Sequence, residues 1–146
     1  MPLEGRLIPR APVPPEVERF LAQPRRAVVA TIGRDGWPVT AATWYEWDSG
    51  RFLLSMWADR HRHRNILPDP RVSLTVLADD WYSHVSLLGR AVEIRDDPDF
   101  ADIDRLSMHY SGEPYDERDD PCVSVVVEVE RWRTYGDPLA NGGVDA

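Results

Sequence analysis

The sequence has no lysine, one cysteine and no apolar run long enough to cross a membrane. All 17 basic residues are arginines, against 25 acidic residues, so the net charge is −8. With Cys122 alone, neither an intrachain disulfide nor a cysteine-rich zinc site can form. A single cysteine beside a valine run is typical of a small buried side chain. The acidic balance argues against general nucleic-acid binding, which depends on a broad basic surface.

The amino terminus also lacks the long apolar segment of a signal peptide, and this predicts a cytoplasmic protein. The length of 146 residues fits one domain that is large enough to bury a proper hydrophobic core. Because no apolar run is long enough to cross a membrane, no membrane partner is expected.

Hydrophobic patterning predicts a mainly β fold. Six segments are expected to be strands: 27–33, 37–47, 51–57, 71–78, 84–95 and 122–135. The first three follow one another through tight turns at 34–36 and 48–50, so we expect them to form a meander. Main helices are predicted at 14–23 and 97–112, and a short one within 59–70. Because no βαβ pattern repeats, we expect an antiparallel barrel with helices packed against it.

Two glycines carry specific expectations within this pattern. Gly89 interrupts a predicted strand, which indicates a bulge or a close approach of two backbones. Gly112 follows the periodic apolar residues of the second main helix and is expected to end that helix.

The segment "WADRHRHRNILPDPR" at 57–71 concentrates positive charge in an acidic chain. His61 and His63 suggest a metal site, but residues two apart on a helix point about 200° away from each other. Arg60, Arg62 and Arg64 flank the histidines and would repel a divalent cation. No metal site is therefore predicted.

Nucleic acid is a weak second interpretation of this segment, because the basic patch is local and the rest of the chain is acidic. A third is a pocket for a phosphorylated cofactor, since arginine forks bind phosphate oxygens with paired charge-assisted hydrogen bonds. The alternative is a solvated helix whose arginines pair with the many carboxylates. Charge alone leaves these last two interpretations equal.

Motifs within this segment and on both sides of it resemble a known family. They are "ATIGRDGWPVTAATWYEWDSGRFLLSMW", "DRHRHRNILPDPRVSLTV", "WYSHVSLLGRAVEI", "IDRLSMHYSGEPY" and "VVVEVERWRTYG". In this order they resemble the pyridoxamine 5′-phosphate oxidase-like split β-barrel superfamily. Within it they are similar to the flavin/deazaflavin oxidoreductases that use coenzyme F-420.

The resemblance implies an FMN-binding-like, six-stranded antiparallel split β-barrel with two main helices and one short helix. The resemblance covers a cofactor-binding domain at 24–136; before it we expect an N-terminal extension and short helix at 1–23, and after it the small residues of 137–146 predict a flexible tail. The resemblance also implies a homodimer that holds its cofactors at the subunit interface.

Site residues follow from the same resemblance. Arg60 and Arg62 are expected to bind the cofactor phosphate, with Arg64 as a weaker candidate. The end of the third predicted strand should line the phosphate and sugar side, and the second should run under the ring. The phosphate and sugar side is expected to be lined by Ser55, Met56 and Trp57. The residues expected under the ring are Thr40, Ala41, Ala42 and Thr43, with Trp44 at the border of the ring or substrate pocket. No residue is assigned as a catalytic acid or base.

The function implied is hydride transfer between reduced coenzyme F-420 and a small organic substrate. One alternative is an FMN-dependent enzyme that resembles pyridoxamine-phosphate oxidase. The others are a non-catalytic cofactor-binding protein and a ligand-free dimeric interaction module. The lysine-free composition indicates a high-GC genome and slightly favours the deazaflavin.

Overall fold

The computed structural model describes residues 9–59 and 61–137, without the side chain of His61. These residues form seven strands and three helices. In chain order the elements are α1 (Pro15–Leu21), β1 (Ala27–Ile32), β2 (Pro38–Thr43), β3 (Glu46–Asp48), β4 (Arg51–Trp57), α2 (His61–Ile66), β5 (Arg71–Leu77), β6 (His84–Asp96), α3 (Ala101–Ser111) and β7 (Cys122–Tyr135). No helix among them has the length and hydropathy needed to span a bilayer. The mainly β, antiparallel fold is confirmed.

The strands form one sheet that curls on itself. Hydrogen bonding orders them β2-β1-β5-β6-β7-β4-β3, so β2 and β3 are opposite edges. Only Trp44 and Tyr45 join these two strands, and three Cα steps reach at most about 11 Å. The edges of a flat seven-stranded sheet would lie about 29 Å apart. The sheet must therefore curl until its edges approach each other, as in a split barrel.

The expected count of six strands and the expected meander are both corrected here. The predicted strand 37–47 is two strands, and β4 pairs with β7 rather than with β2. Tyr45 explains the break, because its side chain is 1% exposed and its hydroxyl donates a 2.7 Å hydrogen bond to the carbonyl of Leu21. Anchoring this residue against α1 turns the chain out of β2 and across to the other edge.

Strand alternation divides the apolar residues between two clusters. In β4, Phe52, Leu54 and Met56 point into the main core inside the barrel. Helix α1 closes one side of that core with Val17, Phe20 and Leu21. The opposite face of the sheet packs under α3 in a smaller cluster, built from Leu53, Ile103, Leu106 and Cys122. Burial of Cys122 confirms its predicted character as a small apolar residue.

Helix α3 begins later than predicted and ends where predicted. Phe100 has a left-handed backbone (φ 59°), so the helix cannot extend back to residue 97. The carboxylate of Asp97 instead caps the helix, accepting hydrogen bonds from the backbone N–H groups of Asp102 (3.0 Å) and Ile103 (3.1 Å). Gly112 (φ 78°) ends the helix.

Gly89 lies at a close approach of two backbones, as its position in the sequence predicts. The register between β6 and β7 shifts between Leu88 and Gly89. A Cβ atom at this position would overlap the backbone carbonyl oxygen of Glu128. Only glycine fits here without displacement of β7.

Candidate active site

Two cavities of about 310 Å³ and 460 Å³ lie between the outer face of the sheet, α2 and α3. They share Ser55, Arg62, Ile103 and Tyr115, so they form one continuous cleft. The smaller, here called the polar cavity, is completed by Met56, Trp57, Glu117 and Cys122. The larger, here called the aromatic cavity, is completed by Arg26, Ala27, Ala42, Thr43, Trp44, Leu106 and Tyr110.

An unsatisfied hydroxyl lies at the junction of the two cavities. The Oγ atom of Ser55 is buried and has no hydrogen bond of ordinary geometry among the described residues. The nearby Cys122 thiol is a weak partner, and burial raises the pKa of that thiol, so it stays uncharged. Because buried polar atoms are rarely left unsatisfied, this hydroxyl is suited to a polar ligand atom.

Helix α2 brings Arg62 to the same junction. The helix is held from below by Ile66, which is 1% exposed in the main core, and by Asn65, whose Nδ2 donates a 3.2 Å hydrogen bond to Thr31 Oγ1 of β1. His63 Nδ1 lies 2.7 Å from the carbonyl oxygen of Ala58. These contacts fix the helix so that Arg62 lines both cavities.

Stacked aromatic rings form one wall of the aromatic cavity. The rings of Trp44 and Tyr110 are 5.1 Å apart at an interplanar angle of 14°. The Tyr110 hydroxyl donates a 2.7 Å hydrogen bond to the Arg25 carbonyl and accepts one from the Tyr45 N–H at 3.3 Å. Burial raises the pKa of Tyr110 to about 12. The wall is therefore uncharged at neutral pH.

Asp102 holds α3 over the cleft. Its carboxylate accepts a 2.6 Å hydrogen bond from Ser124 Oγ of β7 and a 3.1 Å hydrogen bond from Arg95 of β6. It also pairs with Arg105 at 3.0 Å, and Arg105 in turn binds Glu46 of β3. The cleft-lining side chains of α3 are thus positioned by three strands at once.

This network predicts an acid-dependent stability. Burial raises the pKa of Asp102, but hydrogen bonds from Ser124, Arg95 and Arg105 outweigh burial and lower it. The stabilisation of the fold by the ionised Asp102 carboxylate is therefore complete above the pKa of an unfolded aspartate, about 3.9. It is lost as the pH falls through the lower pKa of Asp102 in the folded protein. Urea unfolding of wild type should show a steeper loss of stability from about pH 5 to pH 3 than unfolding of Asp102→Asn.

The matched control for that experiment is Asp99→Asn, which changes an exposed carboxylate just before α3. It should keep the pH dependence of wild type. Parallel curves for wild type and Asp102→Asn would contradict the assigned network.

The structure brings most of the predicted site residues into the cleft. Ser55, Met56, Trp57 and Arg62 line the polar cavity, and Ala42, Thr43 and Trp44 line the aromatic one. The side chain of Met56 packs in the main core. Since successive strand residues point to opposite faces, Met56 meets the cleft through its backbone.

Four predicted residues are not placed in the cleft. Thr40 is exposed on β2, and Ala41 packs against the main core. Arg64 lines a separate cavity near Asn65. Arg60 lies outside the described residues.

Sequence reasoning missed the contribution of α3 and the loop after it. Ile103, Leu106 and Tyr110 lie on one face of α3, and that spacing is the same for a core face and a cavity wall. Tyr115 and Glu117 lie in an acidic loop that carries no periodic signal.

Comparison with known proteins gives a family match and several structural neighbours. The family model described as pyridoxamine 5′-phosphate oxidase matches residues 13–136. A solved F-420 reductase is 28% identical and superposes with a TM-score of 0.77, covering 83% of this chain and 98% of that one. A conserved hypothetical protein from Mycobacterium tuberculosis is 27% identical, with a TM-score of 0.68 and coverage of 90% and 89%.

More distant structures share the fold. General Stress Protein 26 from Bacillus anthracis is 14% identical, with a TM-score of 0.63 and coverage of 84% of this chain and 92% of that one. A search of the curated proteins gives no match.

Proposed function

This chain belongs to the pyridoxamine 5′-phosphate oxidase family, and we propose that it is an oxidoreductase whose cleft binds a flavin-type cofactor. The proposed reaction is hydride transfer between reduced coenzyme F-420 and a small organic substrate. Similarity to the F-420 reductase over 83% of the chain supports this cofactor.

The observation that carries the proposal is the junction of a polar and an aromatic cavity. The buried, unsatisfied Ser55 hydroxyl and the Arg62 guanidinium lie where the cavities meet. The stacked Trp44 and Tyr110 rings lie in the larger one. A molecule with a planar ring on a phosphorylated stem matches both chemistries in one continuous space.

The residues have separate roles in this proposal. Arg62 binds phosphate oxygens, Arg60 remains the proposed second phosphate ligand, and Ser55 donates to an oxygen of the stem. The apolar residues of α3 orient the cofactor ring and exclude water, and Trp44 borders the cofactor ring and the substrate pocket. The bound cofactor supplies the hydride chemistry. No acid or base is assigned.

FMN is the second candidate cofactor. It shares the ring shape and the ribityl phosphate of the deazaflavin, so Arg62 and Ser55 would serve it equally. The match to the pyridoxamine 5′-phosphate oxidase family favours FMN, because the FMN-dependent alternative is an enzyme that resembles this oxidase.

We also propose a homodimer with the cofactor at its interface. β2 is an edge strand, and Trp37 beside it is 71% exposed while Val39 on it is 39% exposed. Ala42 and Thr43 of the same strand line the aromatic cavity, so a partner covering β2 would also close the cleft. Sedimentation velocity at micromolar concentration should show a dimer, and a monomer would contradict this proposal.

Turnover is tested by following the oxidation of reduced F-420 in the presence of unsaturated and quinone acceptors. Acceptor-dependent oxidation by wild type, slowed in the Arg62→Gln variant at subsaturating F-420, is the expected result. If F-420 binds but no acceptor in the panel restores its oxidised visible band, the non-catalytic cofactor-binding alternative is favoured instead.

A further inference from the structure

A second arginine lies on the aromatic cavity, away from the polar one. Arg26 lines the aromatic cavity, whereas Arg62 lines both. The backbone of Arg26 is fixed, because its carbonyl accepts a 2.9 Å hydrogen bond from the N–H of Leu77 and the following residue, Ala27, begins β1. The side chain is exposed at the edge of the cleft.

The neighbouring arginine shows what a purely structural role looks like. Arg25 is 6% exposed, donates a 2.9 Å hydrogen bond from Nε to the Phe20 carbonyl and lies 3.9 Å above the Phe20 ring. It also pairs with Asp79 at 3.7 Å. No described carboxylate pairs with Arg26, although the chain has 25 acidic residues. Arg25 therefore stabilises the fold, and Arg26 presents its charge at the cleft.

Among the described residues that line the aromatic cavity, the one other charged side chain is Arg62, which the proposed function assigns to the cofactor phosphate. None of the cavity's described lining residues is an aspartate or a glutamate. The Tyr110 hydroxyl is engaged by the backbone of Arg25 and Tyr45, so Tyr110 offers a ligand its ring rather than a donor. A planar, conjugated molecule is the ligand that such a wall contacts best.

We propose that Arg26 selects the substrate, which is a planar conjugated carboxylate whose ring contacts the Trp44 and Tyr110 wall. The substrate role rests on the proposed function. One guanidinium neutralises one carboxylate with a bidentate pair of hydrogen bonds. With Arg62 bound to the cofactor phosphate, a substrate phosphate monoester of about −1.5 to −2 charges would leave excess negative charge beside the uncharged Trp44 and Tyr110 wall, so a carboxylate fits better.

The test measures binding of three matched probes: 2-naphthoate, 2-naphthamide and 2-naphthyl phosphate. Calorimetry on the cofactor-free wild-type protein should give an affinity for the carboxylate about tenfold higher than for the amide, as expected for one charge-assisted pair. In protein saturated with F-420 or FMN, whose phosphate then occupies Arg62, the naphthyl phosphate should not bind tighter than the carboxylate. In Arg26→Gln the preference for carboxylate over amide should disappear. The control Arg19→Gln, which removes an exposed arginine of α1, should keep it.

Equal affinities for acid and amide in wild type, or an unchanged preference in Arg26→Gln, would overturn the proposal. A preference for the phosphate in the cofactor-saturated protein would also overturn it. The titration is repeated after saturation with F-420 or FMN, and the preference should persist. Displacement of naphthoate by the cofactor would mean that Arg26 contacts the cofactor ring instead of the substrate. That result would overturn the role of Arg26 in substrate selection. Failure of both cofactors to bind, with the preference intact, would count against the proposed function alone.

Discussion

Replacing Arg62 by glutamine is expected to weaken cofactor binding by about 10- to 100-fold. Hydrogen bonds to a charged group contribute about 1.5–3 kcal/mol, and each 1.4 kcal/mol is a factor of ten in affinity. Arg62 lies at the junction of the two cavities, beside the buried Ser55 hydroxyl, where a phosphate would be partly shielded from water. Fluorescence titration with F-420 and with FMN measures the effect.

Two controls make this result specific to the phosphate. Arg64→Gln removes an arginine of the same helix that lines a different cavity, and it should change affinity less than about twofold. Riboflavin has the ring and stem without the phosphate, so its binding should be nearly the same in wild type and Arg62→Gln. An equal loss for riboflavin and FMN would contradict the phosphate role.

Replacing Gly89 by alanine is expected to lower the free energy of unfolding by about 1–3 kcal/mol. The added Cβ would overlap the carbonyl oxygen of Glu128 and approach Val127 Cγ1 at 2.8 Å. Backbone atoms cannot rotate away as a side chain can, so β7 must shift along the long β6–β7 ladder. For a domain of this size, about 1 kcal/mol corresponds to roughly 2–4 °C in Tm.

The matched control is Gly33→Ala. Its Cβ would lie 3.2 Å from a carboxylate oxygen of Asp35, an exposed side chain that can move. Urea unfolding should therefore show a small change for Gly33→Ala and a large one for Gly89→Ala. Similar values for the two variants would contradict the close approach at Gly89.

Local patterns predict the strands and helices better than their connections. β4 and β7 begin and end where alternation and turn residues place them, and Gly112 ends α3 as expected. The break at Trp44 and Tyr45 was not predicted, because both residues have high strand propensity. Their turn depends on a long-range contact, the burial of Tyr45 against α1, which no local pattern contains.

The same limit applies to the candidate site. Ser55 and Arg62 were predicted from the family resemblance, and the structure places both in the cleft. The sequence does not distinguish Thr40 and Ala41, which lie outside the cleft, from Ala42 and Thr43, which line it. The reason is that β2 is an edge strand whose exposure does not alternate cleanly. The α3 wall depends on how that helix is held by Asp102, which is again a tertiary contact.

The central claim is tested most directly by titrating the wild-type protein with F-420 and FMN while the cofactor spectrum and fluorescence are recorded. A saturable spectral change with one site per chain for at least one of them, weakened in Arg62→Gln and retained in Arg64→Gln, is the predicted result. The absence of saturable binding of both cofactors to correctly folded protein would contradict the claim that this cleft is a flavin-type cofactor site.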